Sequence, residues 1–390
     1  MLFRSPVTET ERIATMDAAG RVLAEPQGSN IDVPSLDNSA MDGFAVRLAD
    51  LQGAEPKLRV GQRIFAGSVG QPLEPGTAAR IFTGAPIPAG ADAVIMQEET
   101  ALEGDQVAIK RKPEAGEWIR RVGQDIRKGH VILQPGMKLR PQDTGLAASV
   151  GIGSLAVRRR VRVGLFFTGD ELAMPGEPLA PGRIYNSARF TLSGLAKGLG
   201  CDVTDYGNVP DTLEDTKAML RRAGAECDVI ITCGGVSVGE ADFVKPAVEA
   251  EGELLMWRIA MKPGRPLAFG KVRSGGRTAS FIGLPGNPVS SFVTFVLFAR
   301  PFILKTQGVG RVTPNAMDAR ADFDWPKPDS RREFLRARWN ESGGLDLYTT
   351  QDSAVLTSTV WADGLIDNPA KQAIRRGDRV RFLPYAEILR

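Results

Sequence analysis

An apolar run from Asp228 to Thr232 empties into Gly234, Gly235, Val236, Ser237, Val238, Gly239, Glu240, Ala241 and Asp242. A buried strand followed by a glycine-rich loop and a helix is how parallel α/β sheets bring backbone N–H groups up to a phosphate. Alone, the loop reads equally well as a tight turn, so its neighbours decide. They alternate between strand and helix patterns, with strands predicted at Val161 to Phe167, Asp202 to Val209 and Thr278 to Leu284. Helices are predicted at Ser187 to Leu199, Thr212 to Ala223 and Asp242 to Glu251, closed by Gly200, Gly224 and Gly252 in turn. A fourth, from Pro288 to Leu304 with Asn287 as N-cap, is apolar nearly all round and therefore buried, with a place between subunits as one option. This alternation implies a parallel sheet with helices on both faces.

Composition shifts divide the remainder. Residues 28–128 are rich in Gly and Pro, with short β-type runs at Lys57 to Val60, Ala79 to Phe82, Ala93 to Met96 and Gln106 to Ile109, and read as an inserted β domain. Segments 1–27 and 129–159 read as one small linker domain that the insert interrupts, with helical patterns at Thr15 to Leu23 and Gln142 to Val150. The α/β domain covers 160–307. After a linker near Thr313 to Pro328, alternating patterns at Phe334 to Trp339, Leu345 to Tyr348 and Arg379 to Leu383 make 308–390 a C-terminal β barrel. The expected fold class is therefore multidomain α/β plus β.

Charge and rare residues restrict the chemistry. With 49 basic and 46 acidic residues the net charge is +3, which leaves no electrostatic footprint for nucleic acid or a membrane surface. The longest apolar stretch, Phe292 to Ala299, falls short of a bilayer span, and Arg4, Glu9, Glu11 and Arg12 occupy the place of a signal core, so a cytoplasmic protein is expected. Cys201, Cys227 and Cys233 form no Cys-x-x-Cys pair and read as core residues. His130 is the single histidine, in a turn, so histidine-based zinc sites are excluded. Carboxylates, lysine, arginine, hydroxyls, backbone N–H groups and a hard metal remain.

The predicted strand ends carry Thr168, Gly169, Asp170 and Glu171, then Pro210 and Asp211, then the Gly234 loop with Asp242, then Leu284 to Pro288. Such strand ends are where open α/β sheets bind ligands. A basic stretch from Trp257 to Pro266, with Arg258, Lys262 and Arg265, would overhang the same edge. Bland readings stand beside these: Asp211 fits a capping box with Glu214, Asp242 an N-cap, Asp42 an ordinary turn before Gly43, and Lys262 a solvated loop cation.

The strings Pro34-Ser35-Leu36-Asp37-Asn38-Ser39-Ala40-Met41-Asp42-Gly43, Arg80-Ile81-Phe82-Thr83-Gly84-Ala85-Pro86, Thr168-Gly169-Asp170-Glu171-Leu172, Gly234-Gly235-Val236-Ser237-Val238-Gly239, Ala260-Met261-Lys262-Pro263-Gly264 and Leu284-Pro285-Gly286-Asn287-Pro288 jointly resemble the molybdopterin molybdenumtransferases, the group of MoeA and the gephyrin E domain. The resemblance implies insertion of molybdate into adenylylated molybdopterin, with Mg²⁺-dependent release of AMP. It places Asp42, Thr83, Asp125, Glu171, Asp211, Asp242 and Lys262 in the catalytic set, with Glu171 and Asp242 on Mg²⁺. Ligand contacts fall to Gly234, Gly235, Val236, Ser237, Arg258, Arg265, Pro285, Pro288 and, in the terminal domain, Ser358. Two carboxylates about 4 Å apart repel by roughly 4 kcal/mol at an effective dielectric near 20, so such a cluster holds a cation or raises a pKa. The resemblance also implies a homodimer whose cleft is closed by the insert of the second subunit, and handover of substrate from a molybdopterin adenylyltransferase.

The sequence departs from the family in three places. Little precedes Thr10 where members carry a further helix, Arg258 replaces a usual lysine, and Gln124 replaces a glutamate beside Asp125. Three other readings remain: an adenylyltransferase of the same central fold, which lacks the insert and terminal barrel in its single-domain form; a nucleotide pyrophosphatase; and a non-enzymatic scaffold. Intact Glu171, Asp242 and Lys262 argue against lost catalysis.

Overall fold

The computed structural model describes residues 6–236 and 242–389. Its centre is a six-stranded sheet of β1 (Arg162–Thr168), β2 (Asp202–Val209), β3 (Val229–Cys233), β4 (Gly252–Arg258), β5 (Pro266–Ser274) and β6 (Arg277–Leu284), ordered β2-β1-β3-β6-β5-β4. The first four strands in that order run parallel, and β5 and β4 extend the sheet antiparallel. Neither β4 nor β5 is among the expected strands; Gly275-Gly276 turn β5 into β6 with φ of +57° and +72°, as in a two-residue hairpin.

Successive side chains of β1 enter opposite cores. Leu165 and Phe167 pack with Leu192, Ile231, Phe295 and Ile303, whereas Phe166 packs with Leu220, Ile230, Val248 and Phe281. A sheet buried on both faces needs apolar residues at consecutive positions, and β3 shows the same pattern in Val229, Ile230 and Ile231.

The covering helices are α1 (Ser187–Gly198), α2 (Leu213–Glu226), α3 (Val244–Glu251) and α4 (Pro288–Thr294), the last continuing through a wide turn at Phe295–Ala299 into Arg300–Thr306. Two expected terminators have other roles. Gly224 lies inside α2, where a Cβ would come within 3.0 Å of Val272 on the sheet, and Gly252 is extended at the start of β4, where a Cβ would overlap the Lys271 carbonyl. Both allow close backbone approach rather than a left-handed cap. The α4 helix is buried by its own chain, between the sheet and the terminal segment, which removes the need for a place between subunits. The continuous helix Pro288–Thr306 is long and apolar enough to cross a bilayer, yet 78% of its most apolar window lies inside the fold, as in a core helix.

The expected helix at Thr15 to Leu23 is instead a single 3₁₀ turn, Thr15–Asp17, with isolated bridges from Val22 and Leu23, and a strand, Thr10–Ala14, precedes it. That strand pairs antiparallel with Ser154–Arg158, and Leu23 donates its N–H to the Met137 carbonyl, so cross-chain pairing satisfies backbone that a helix would have satisfied locally. The expected helix near Gln142 is present as Pro141–Ser149. Between these segments stands a six-stranded sheet, Ala93–Met96, Gly43–Val46, Thr77–Ile81, Lys57–Ile64, Gln106–Ile109 and Thr100–Glu103 in spatial order.

The terminal sheet forms a half-barrel ordered Met261–Lys262, Arg332–Trp339, Gly364–Asn368, Arg379–Pro384 and Met317–Arg320. Its last strand occupies part of the expected linker, and its first comes from the basic stretch between β4 and β5. That short parallel pairing of Met261 and Lys262 with Arg332 and Glu333 ties the two segments together.

Candidate active site

The strand order reverses at β1, which lies between β2 and β3, and the crevice at such a switch point is where open sheets take ligands. Register aligns Phe167 with Cys233 and Cys233 with Leu284, so the loops after β1, β3 and β6 emerge at one edge. They surround a pocket of about 460 Å³ lined by Thr168, Glu171, Asn186, Asp211, Asp242 and the Gly234, Gly235 and Val236 loop, with Pro285 on its wall. Ser237 lies outside the described residues.

Glycine is required in that loop. Gly234 and Gly235 have φ of +98° and +64°, and a Cβ would approach the Thr168 carbonyl to 2.5 Å at the first and the Val244 side chain to 2.6 Å at the second. The Gly234 N–H already donates to the Leu284 carbonyl at 3.2 Å. The Thr168 hydroxyl, which borders both glycines, is buried without a hydrogen-bond partner. Cys233 donates its thiol to the Pro285 carbonyl at 3.2 Å, and complete burial pushes that thiol up to about 12, so it is no nucleophile at neutral pH.

The capping reading of Asp211 does not survive: Thr212 caps α2, accepting the Asp215 N–H at 3.1 Å, while α3 begins at Val244, two residues after Asp242. Asp211 is held above the usual carboxylate range by burial first, then by the negative charges of Asp170, Glu171 and Asp242, and a hydrogen bond from the Asp170 backbone N–H only partly offsets this. Burial and neighbouring carboxylates both disfavour the charged form and so push in the same direction. Among the described residues no three His, Cys, Asp or Glu side chains converge as a ready-made metal cage.

Asn186 and Thr168 are the polar wall residues that sequence reasoning left without a role. Asn186 caps α1 by accepting the Arg189 N–H at 3.1 Å and donates to Asn208 at 2.8 Å, so it shapes the wall with both ends of its amide engaged. Its signal was its place just before the helix. Asn287 lines the pocket but makes no side-chain cap on α4; it donates to Ser353 at 3.0 Å instead.

Other expected site residues lie apart. The Lys262 ammonium stands 3.4 Å from Asp329 and 3.5 Å from the nearly fully buried Glu333, so its charge is committed to the terminal sheet rather than to a loop in solvent. Arg258 and Arg265 are exposed on either side of that stretch, at the cleft end of the sheet, as the pairing of Arg258 with Pro266 requires. Pro288 opens α4. Ser358 is fully buried, accepting from Arg336 at 3.1 Å and donating to the Val355 carbonyl at 2.7 Å, so it cannot touch a ligand in this conformation.

Asp42, Thr83 and Asp125 are exposed on the insert and do not line the pocket of their own chain. Asp42 accepts both the backbone N–H and the hydroxyl of Thr83, each at 2.8 Å, and these bonds hold its carboxyl below the usual range. Arg80 supports the same loop, donating to the Gly43 carbonyl at 3.2 Å while lying between the Phe44 and Phe82 rings at 5.0 and 4.9 Å.

Residues 2–151 match the model of the MoeA N-terminal region (domain I and II), 164–305 that of a probable molybdopterin binding domain, and 318–385 that of the MoeA C-terminal region (domain IV). The chain is 41% identical to a molybdopterin molybdenumtransferase of Haemophilus influenzae, over 98% of this chain and 95% of that one. It is 36% identical to one of Bacillus subtilis over 93% and 86%. Among solved structures, a molybdopterin biosynthesis MoeA protein of Pyrococcus horikoshii superposes with a TM-score of 0.84 at 30% identity, covering 98% of this chain and 96% of that one.

Proposed function

The chain belongs to the molybdopterin molybdenumtransferase family, and from that premise we propose that its switch-point pocket inserts molybdate into adenylylated molybdopterin and releases AMP. It is a transferase of molybdenum cofactor biosynthesis. The observation that carries the reading is the meeting of a glycine loop with Glu171, Asp211 and Asp242 in one pocket.

The donor set suits Mg²⁺, because it is all hard oxygen and the upward shift of Asp211, set first by burial, also carries the charges of Asp170, Glu171 and Asp242, which a cation would offset. Glu171 and Asp242 would hold the ion, with phosphate oxygens and water completing its shell. When bound, it would neutralise charge on the anhydride oxygens as the bond to AMP breaks.

The rest falls to the chain. With the Gly234 N–H committed to Leu284, those of Gly235 and Val236 face the phosphate, and the Thr168 hydroxyl donates to a ligand oxygen. Asp211 keeps a proton on its carboxyl more readily than an ordinary aspartate, which suits it to protonate a departing phosphate oxygen. Arg258 and Arg265 at the rim attract molybdate. Lys262 anchors the rim through Asp329 and Glu333, and Pro285 lines the far wall, with Pro288 opening the helix behind it.

Asp42, Thr83 and Asp125 are assigned to the cleft of a second copy in a homodimer, because they are exposed and lie outside the pocket of their own chain. Division into a linker domain (1–27 and 129–159), insert (28–128), α/β domain (160–307) and terminal domain (308–390) belongs to the same reading. So do cytoplasmic location and supply of substrate by an adenylyltransferase.

The test is AMP release from adenylylated molybdopterin with Mg²⁺, with and without molybdate, by the intact protein and by a Glu171→Gln, Asp242→Asn double variant. Molybdate-stimulated release that vanishes in the variant is the expected result. No release by the intact protein would overturn the assignment.

A further inference from the structure

We propose that a second oxyanion site lies on the edge of the central sheet opposite the cleft, where Arg159, Arg162 and Arg277 are arranged to take a tetrahedral dianion of the phosphate or molybdate type. Arg162 and Arg277 open β1 and β6, and Asp228 immediately precedes β3. With Thr8, Glu9 and Thr278 they line a cavity of about 410 Å³. From Arg162 to Thr168, β1 spans roughly 20 Å at a strand's rise, so this cavity and the cleft are separate sites.

Asp228 is 1% exposed and gathers the arginines. Arg159 donates to its two oxygens at 2.7 and 3.1 Å, the Arg162 backbone N–H donates at 2.9 Å, and Arg277 donates at 3.4 Å. Glu9 takes a further bond from Arg159 at 3.2 Å. Were the cluster only a tie between strand starts, each guanidinium would be consumed by it. The Arg162 guanidinium is not: it reaches Asp228 only at 3.5 Å, and its buried Nε–H has no hydrogen-bond partner.

Three guanidinium groups facing the carboxylates of Asp228 and Glu9 leave the cavity with a net positive charge. The exposed hydroxyls of Thr8 and Thr278 add neutral donors at the rim. A planar fork with a spare N–H, neighbouring cations and hydroxyl donors is the chemistry that recognises a small oxyanion.

The experiment is isothermal titration of the full chain with inorganic phosphate and, in a separate arm, with molybdate. An Arg258→Ala, Arg265→Ala variant removes the rim cations of the cleft, and Arg162→Gln and Glu9→Gln probe the cavity. We expect binding that persists in the rim variant, weakens about tenfold or more in Arg162→Gln, and tightens in Glu9→Gln as a competing negative charge is lost. The anion bound more tightly identifies the source. Arg162→Gln should leave AMP release unchanged. Binding that ignores Arg162→Gln, or is lost in the rim variant, would overturn the proposal, as would no binding of either anion at millimolar concentration.

Discussion

Two groups of carboxylates that resemblance assigns to one site have opposite surroundings. Asp211, in the α/β cleft, is half-buried beside Asp170, Glu171 and Asp242 and held above the ordinary carboxylate range, by burial first and then by their charges. Asp42, on the insert, is exposed, takes two hydrogen bonds from Thr83 and is held below it. In one region burial and neighbouring charge disfavour the ionised carboxyl, and in the other hydrogen bonds favour it. In the proposed function, the cleft receives a cation and a proton, whereas the carboxylate fixed on the exposed loop serves the cleft of a second copy. The two regions do not share a pocket on one chain, and that is the ground for a composite site.

The largest expected effect is on turnover. The Glu171→Gln, Asp242→Asn double variant should lose about a thousandfold or more of AMP release, since charge stabilisation in a shielded site is commonly worth ~3–4 kcal/mol per group, while its urea midpoint should hold or rise as repulsion is relieved. A fall in both would mean that these residues hold the fold together and would break the comparison.

Thr83→Val removes one of the two bonds to Asp42 and keeps the backbone bond, so about a tenfold loss of activity is expected, with Asp42 titrating higher when followed by NMR. Thr168→Val is close in shape and deletes a buried hydroxyl without a partner, so stability should be equal or better by up to ~1 kcal/mol while activity falls several-fold. Lower stability with full activity would assign that hydroxyl to the fold alone.

The smallest effects are in stability against pH, and their signs differ. The lowered pKa of Asp42 contributes stability that is present above the ordinary carboxylate value and is lost as pH falls through the folded value. The raised pKa of Asp211 is a cost, present above its folded value and absent once pH drops below the ordinary one. Asp42→Asn should therefore be slightly less stable than the parent at neutral pH and Asp211→Asn slightly more, the Asp211 difference closing as pH falls to the ordinary carboxylate value and the Asp42 difference only below it. Thermal melts across that range check the signs.

The central sheet was legible because burial on both faces writes continuous apolar runs, and parallel strands place their C-terminal loops at one edge whatever the helices between them do. Glycines were less legible, since Gly224 and Gly252 carry the same letter as a helix terminator while serving close approach to Val272 and Lys271. The N-terminal strand was hidden because its partner, Ser154–Arg158, is far away in sequence. Ser358 and Lys262 show the limit for sites: a motif names a residue type, but the neighbours that consume its hydroxyl or charge, Arg336 in one case and Asp329 with Glu333 in the other, are fixed only by packing.

The composite site is tested most directly by mixing two inactive proteins. Asp42→Asn leaves the cleft intact and Asp242→Asn leaves the insert intact, so after unfolding and joint refolding a twofold mixed dimer has one complete site and one doubly altered site. With random pairing, AMP release should recover to roughly one quarter of the parental rate, because half the dimers are mixed and each has one working site. No recovery, from a mixture shown to contain mixed dimers, would contradict the account and confine the reaction to the cleft of a single chain.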